Sequence, residues 1–557
     1  MRHFMRYLSL ALILLFACGM ISCKSNSGAE SGSGSESDES QTLPQDRSET
    51  PAPEITRETP ETTDRESGIQ TETNNAVDSD KEPETMPQES ETENKTETSK
   101  KPETTKKPET TKKPETSKAP ETTKDPETTK VPDTQPPEPE TTAPEPVYDF
   151  DGSISENVLK SYLARAVTLS CESGEELNLS RKHYKTFILN TGAKYICRSA
   201  CCWSPSESDY KTHKGQAEFI LDIHQSDPDI IFEACIFECV GKAAVSNIRI
   251  PAYVFEAFGL TPEDRCFSYQ DMIFTDGSYN NQWGPDISAP DITRIETQMF
   301  IYYRACTYID LGFEGLHMGQ VEMMGKNDRA TGWQSWTKVL DLIRAYAKTY
   351  ARRHFVLLNA HTHGMTDANG YLMFDFHMWP SRPKCDQTQS AHAPTEDNPQ
   401  KASLVRNWGN SIYGKSKGGK THSGWSTSSL PYLVELDNYG DDAISKINHP
   451  VSNASNIRVW GMDEITWYAN QPAAYRAQFL REAYEFLKKT TLNGSGFLAM
   501  PGQRVARIYE YDDAGAIKTD AKGNAVIKSY RYYAFDSSYY KKGCGDEAII
   551  RELWGTN

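Results

Sequence analysis

Beyond residue 147, short apolar runs recur along the chain, and the segments between them carry apolar residues at helical spacing. The runs KYICRSA (194–200), IIFEACIF (230–237), GLHMGQV (315–321), FVLLNAH (355–361), LMFDFHMW (372–379), YLVELDN (432–438), IRVWGMD (457–463) and GFLAMPG (496–502) read as eight strands. Three connectors read as helices. Asp291 caps one whose apolar face includes Ile295, Met299 and Tyr303 and which ends at Gly312. Trp333, Trp336, Leu340, Ile343, Ala347 and Tyr350 line the second, and Pro472 opens the third, which carries Phe479, Ala483, Phe486 and Leu487. Strands alternating with helices predict a parallel sheet, and eight of them predict an α/β fold of the (β/α)8 TIM-like barrel type over residues 148–557.

Three departures from regular alternation are visible. The connection between 355–361 and 372–379 is too short for a helix, and residues 241–290 have room for a further strand that would shift the strand numbering by one. Past Gly502, RIYEYDD and VIKSYRYYAFD flank a turn with Gly515 and Gly523 and predict a C-terminal β-hairpin. Residues 380–428 form a long Gly- and Ser-rich excursion, which on such a fold is a binding loop.

Residues 23–147 are Glu, Thr, Pro, Lys and Ser with almost nothing apolar, so they lack the buried surface that offsets the entropy of ordering. They predict a disordered tether. Within it KKPETT, KKPETT, KKPETS, KAPETT and KDPETT repeat with a period of six from Lys100, and proline and charge set that period, giving a stiffened spacer. Fully extended at roughly 3 Å per residue it spans a few hundred Å; as a coil it averages about 60 Å. The net charge of -18 excludes nucleic acid as a partner.

Residues 1–22 have a basic start, the apolar core LSLALILLFACGMI and small residues before Cys23. ISC at 21–23 resembles the lipobox of bacterial lipoproteins, which implies cleavage before Cys23, lipid on its sulfur, and a cell-membrane location facing away from the cytoplasm. An ordinary signal peptide cut nearby is the alternative. Ten of the 12 cysteines lie beyond Cys23. Cys197, Cys201, Cys202, Cys235 and Cys239 fit buried thiols, a disulfide or a thiolate metal cluster, though no CxxC pair is present among them.

Candidate chemistry gathers at strand ends. His361 and His363 share a face of one strand, Asp375 and His377 of the next, Glu435 and Asp437 of the one after. Six titratable groups then converge at the C-terminal mouth, where barrel enzymes build their sites. Gln320, Glu322, Asp463, Glu464 and Trp467 lie nearby in sequence, and Trp379, Trp408, Trp425 and Trp460 fall at strand ends or in loops, where flat faces stack on sugar rings.

Glu322 and Glu435 lie three strands apart, and in this respect the chain resembles the (β/α)8 glycoside hydrolases that set an acid/base glutamate and a nucleophile glutamate three strands apart. The resemblance implies Glu322 as acid/base, Glu435 as nucleophile and Trp467 as a sugar platform. Gln320, His361, His363, Asp375, His377, Trp379, Asp437, Asp463 and Glu464 are then substrate-binding residues, the partner a carbohydrate polymer or oligosaccharide, with no cofactor and no metal. Val321 stands where the family carries an Asn, and by the runs above the two strands are third and sixth where the family's are fourth and seventh. His361 and His363 also resemble the His-x-His pair of amidohydrolase barrels, which there closes the first strand. A metal-dependent hydrolase and a non-catalytic glycan-binding lipoprotein therefore stand as alternatives. GKSKGGKT (414–421) matches the phosphate-loop pattern, but with no strand before it and no helix after it reads as a Lys-rich lid. DAKGN (520–524) reads as a hairpin turn, not a calcium loop.

Overall fold

The computed structural model describes residues 146–170, 174–203, 207–386, 392–438, 458–536 and 543–556. The signal segment, Cys23, the hexad repeats and the rest of the tether up to residue 145 lie outside them.

A ring of parallel strands organises the described residues. In chain order it contains β1 (Ala166–Leu169), β2 (Tyr195–Ala200), β3 (Ile231–Cys235), β4 (Gly315–His317), β5 (Leu357–His361), β6 (Phe376–Pro380), β7 (Tyr432–Glu435) and β8 (Gly496–Leu498), each hydrogen-bonded in parallel to the next. After Ala499, β8 runs on as β9 (Met500–Tyr509), which pairs in parallel with β1. Leu498 sits opposite Val434 of β7, and Met500 opposite Val167 of β1. One long stave therefore closes the ring. β10 (Ile527–Tyr533) pairs antiparallel with the outer length of β9, forming the expected C-terminal hairpin.

The ring has eight staves, as expected, but two memberships differ. AVTL, now β1, is four residues long and too short to show a period in sequence, yet it is paired on both sides and fully buried. IRVWGMD is not a strand in its described part, 458–463. Val459 and Met462 exchange both backbone hydrogen bonds (2.8 and 3.0 Å) around Trp460 and Gly461, whose φ angles are 54° and 84°. Two positive φ values in succession make a tight reversal, not an extended stave. The added first strand moves the strands before Glu322 and at Glu435 to fourth and seventh, and the loss of IRVWGMD keeps the total at eight. In the long 241–290 segment, the strand pairing found is a two-residue ladder of Val240–Gly241 with Ile287–Ser288, outside the ring.

The labelled helices are α1 (Glu156–Leu163), α2 (Gly174–Thr191), α3 (Glu207–His224), α4 (Ile295–Asp310), α5 (Val321–Met324), α6 (Gln334–Tyr350), α7 (Glu464–Asn470), α8 (Ala473–Thr490) and α9 (Glu547–Trp554). α6 buries Trp336, Leu340, Ile343 and Ala347 as its periodicity predicts, and Pro472 stands at the start of α8. Asp291 does not cap α4. Its Oδ1 accepts from the Thr293 N–H (2.9 Å) and hydroxyl (2.8 Å), closing a turn before the helix starts. No helix joins β5 to β6.

Side-chain alternation divides the packing into two cores. Inside the ring, α1 plugs the N-terminal end: Val158, Leu159, Tyr162 and Leu163 pack with Tyr195, Ile231, Leu357, Phe376, Met378 and Leu433. Truncating Leu159 to Ala there costs about 2–5 kcal/mol. Outside, the other faces of the strands pack against the crossover helices. The same alternation leaves the C-terminal ends of β2, β4, β5, β7 and β9 to carry the polar interior.

Candidate active site

Glu435 lies at the centre of that interior. It follows inward-facing Leu433 by two residues on β7 and is fully buried. Arg198 Nε is 2.8 Å from both of its carboxylate oxygens, and Arg198 Nη2 also donates to Oε1. Arg504 Nη1, from β9, donates to Oε2. His361 Nε2, at the end of β5, is 3.8 Å from Oε1 and 3.4 Å from Arg198 Nη2. Burial pushes the Glu435 carboxyl up, but Arg198 and Arg504 outweigh it and hold the group well below the usual carboxylate range. It is an anion between two cations.

The backbone is bent to make this contact. Arg198 has a φ of 56°, at an irregularity in the pairing of β2 with β3. A left-handed residue with a side chain costs on the order of 1–2 kcal/mol, and such bulges re-aim side chains beside sites. Glu233 on β3 fixes it, because its Oε1 accepts the Arg198 backbone N–H at 3.1 Å. Its Oε2 accepts from the Tyr195 hydroxyl (2.8 Å) and from Asn359 Nδ2 (2.7 Å), and Asn359 Oδ1 lies 2.7 Å from His317 Nδ1. Because Asn359 gives its Nδ2 to a carboxylate, its oxygen faces His317, so Nδ1 carries that ring's proton. Burial keeps His317 neutral, its pKa well below the usual value, with its ring 4.7 Å from that of His361.

The other expected residues divide. Asp437 joins the cluster, its Oδ1 3.7 Å from Arg198 and 3.6 Å from Arg504. Trp379 stands at the rim, its ring 6.1 Å from that of His361 and 4.4 Å from that of His363. Glu322, on α5 just past β4, is partly exposed at the rim; it accepts from Thr362 Oγ1 (2.9 Å) and pairs with Arg329 (2.7 Å). Gln320 is bound through its backbone N–H and its amide to Glu238 (3.1 and 3.0 Å). Both glutamates thus border on the His361–Thr362 pair.

Asp375 and His377 do not enter the mouth. Phe376 and Met378 take the inner face of β6, so their neighbours point to the helix layer. There Asp375 accepts from the Leu358 N–H (2.8 Å), and His377 Nδ1 lies 2.9 Å from Ser416 Oγ. Asp463 caps α7, accepting from Thr466 N–H at 2.7 Å. Glu464 is a buried staple beneath the rim, accepting from the Ser381 N–H (3.0 Å) and hydroxyl (2.7 Å) and the Arg382 N–H (2.9 Å). Trp467 presents no free face: it is fully buried against Tyr475 and Phe479, its indole N–H on the Gln400 carbonyl (2.9 Å). Trp460 is likewise buried, and Trp425 bonds Ile154 at the opposite end of the barrel.

Among the described residues no group of three or more His, Cys, Asp or Glu side chains is arranged to hold a metal ion. Cys197, Cys235, Cys239, Cys306 and Cys385 are buried thiols. GKSKGGKT has neither a preceding strand nor a following helix, and its Ser416 hydroxyl is spent on His377 and the Leu430 carbonyl.

Arg198, Glu233, His317, Asn359 and Arg504 were not among the sequence candidates. Glu233 and His317 are each a lone polar residue inside an otherwise apolar strand, and Asn359 shares its strand face with His361; that was the available signal. Arg504 falls between the last expected strand, 496–502, and the RIYEYDD arm of the hairpin.

No protein-family model matches the chain, and no curated protein matches it. Solved structures similar to it include an acarbose-soaked debranching enzyme from Nostoc punctiforme (10% identity, 71% of this chain and 81% of that one, TM-score 0.34). A ligand-free cyclic alpha-maltosyl-(1→6)-maltose hydrolase from Arthrobacter globiformis is 12% identical over 71% of this chain and 76% of that one, with a TM-score of 0.35. A GH113 beta-mannanase from Alicyclobacillus acidocaldarius is 10% identical over 71% and 97%, with a TM-score of 0.31. The barrel is defined by the strand pairings above, and similarities at these scores add nothing about the chemistry.

Proposed function

We propose that the chain is a carbohydrate-active hydrolase that cleaves glycosidic bonds at the barrel mouth, held at the cell membrane through lipid on Cys23 and a long tether. The observation that carries this reading is the position of Glu435: an ionised carboxylate at the end of the seventh strand, clamped by Arg198 and Arg504, with Glu322 after the fourth strand on the other side of the His361–Thr362 pair. Glycosidic cleavage needs one carboxylate that stays charged and one carboxylic acid in contact with solvent and leaving group. Glu435 meets the first requirement through its two cations. We assign the second to Glu322, whose partial exposure supports the role.

In this reading His361 and Asp437, beside Glu435 and its arginines, serve as hydrogen-bonding groups, and Trp379, next to His361, as the stacking face. Reducing-sugar release from a panel of polysaccharides by the purified full chain tests the reading. Turnover by wild type and its loss in both Glu322→Gln and Glu435→Gln supports it; full activity in both variants ends it.

A further inference from the structure

Four lysines and an arginine, and no acidic residue, occupy the stretch between Asp397 and Glu435, inside the excursion from β6 to β7. Two of the lysines reach the rim beside Trp379. Lys417 donates its backbone N–H to the His363 carbonyl (2.8 Å), and its own carbonyl accepts from Leu430 (3.2 Å). Its side chain lies directly over Gly364, where any Cβ would collide with it. Lys415 stands close enough to His363 for its charge to oppose protonation of that ring, after burial, the larger cause. Lys384 covers Trp408, its Nζ 4.9 Å from the ring centre.

Several surface cations elsewhere are paired with carboxylates. Lys185 is 2.8 Å from Asp222, Lys326 is 3.1 Å from Asp276 and Arg481 is 2.7 Å from Glu552. Among the described residues, Lys415 and Lys417 instead touch neutral oxygens, those of Asn410 (3.4 Å) and Thr366 (3.2 Å), and neither has a carboxylate partner. Cations held on an anchored loop without counter-charges, next to aromatic faces, are complementary to a polymer that alternates sugar rings with anionic groups.

We infer that the rim between β5 and the β6–β7 excursion binds an anionic polysaccharide, its carboxylate or sulfate groups meeting Lys384, Lys415 and Lys417 while its rings lie on Trp379 and Trp408. This rests on the carbohydrate reading of the mouth and names the substrate class. Calorimetric titration of the full chain with polygalacturonate, dextran sulfate and neutral galactan, at low and high salt, tests it.

The expected result is preferential, salt-sensitive binding of a polyanion that weakens on the order of tenfold in the double variant Lys415→Glu with Lys417→Glu, and measurably in Lys384→Gln. Both sites of the double variant are exposed, so an unchanged melting temperature separates binding from folding. Preference for polygalacturonate or for dextran sulfate assigns the anion as carboxylate or sulfate. Equal affinity for neutral galactan, or undiminished polyanion binding by the charge-reversed variant, overturns the inference. Binding without hydrolysis removes the hydrolase reading alone, whereas hydrolysis of neutral polymers without polyanion binding removes this one alone.

Discussion

Arg198 grips both carboxylate oxygens of Glu435 from across the barrel, Nε lying 2.8 Å from each, and Arg504 completes the clamp. Replacing Glu435 by Gln therefore does more than remove a reacting group. It leaves two buried guanidiniums with Asp437, 3.7 and 3.6 Å away, as their remaining counter-charge, and breaking a buried pair costs about 3–5 kcal/mol. Glu435→Gln is expected to lose activity and to melt well below wild type; adding Arg504→Met recovers part of the stability and none of the activity. Thermal melts of both variants check this, and a Glu435→Gln variant as stable as wild type contradicts the clamp.

Glu322 gives the opposite pattern. It is partly exposed, and its pairing with Arg329 is of the surface kind that contributes about 0–1 kcal/mol. Glu322→Gln is expected to fold normally. As the acid, it matters most when the leaving group is poor, so the variant loses polysaccharide cleavage while retaining substantial turnover of aryl glycosides with acidic phenols. Equal losses on both substrate types exclude the acid role.

The architecture was legible because eight apolar runs with helical spacers need little more than periodicity to be recognised, but two compensating errors show its limit. AVTL is a strand because β2 and β9 flank it, information that four residues do not contain. IRVWGMD has strand composition, yet Trp460 accepts a positive φ that its neighbours impose. At the site, Glu435, Asp437 and His361 were legible from alternation at strand ends. Asp375 and His377 obeyed the same alternation with the opposite phase, because Phe376 and Met378 occupy the interior. Arg198 was invisible for a different reason: a bulge turns it inward, and nothing in KYICRSA encodes that bulge apart from Glu233, which lies on another strand.

Glu233 is accordingly a positioning residue for the clamp. Glu233→Ala leaves the Arg198 backbone N–H unsatisfied and releases the strained φ, so Arg198 holds Glu435 less firmly. With a weaker cation beside it, Glu435 protonates at higher pH. The acid limb of the kcat/KM profile is expected to move upward in Glu233→Ala and to return part of the way in Glu233→Gln, which keeps an acceptor for Arg198. An unshifted acid limb, whatever the loss in rate, would mean that Glu233 serves only the fold.

Glu464 supplies a pH dependence independent of catalysis. Burial pushes its carboxyl up from 4.5 to about 7, against the pull of Arg382 and the Ser381 hydroxyl. Between these values the folded chain keeps a proton that the unfolded chain releases, so folding stability falls as pH rises through the window. The contribution is fully present below about pH 4.5 and gone above about pH 7, on the order of 3 kcal/mol in all. Gln at this position does not titrate, and its single carbonyl oxygen can still accept from the Ser381 N–H and hydroxyl, which share one carboxylate oxygen in Glu464. Chemical denaturation at about pH 5 and about pH 8 is expected to show Glu464→Gln gaining on wild type as the pH rises. Parallel pH dependence in the two proteins would place the Glu464 proton elsewhere and make the staple a permanent anion.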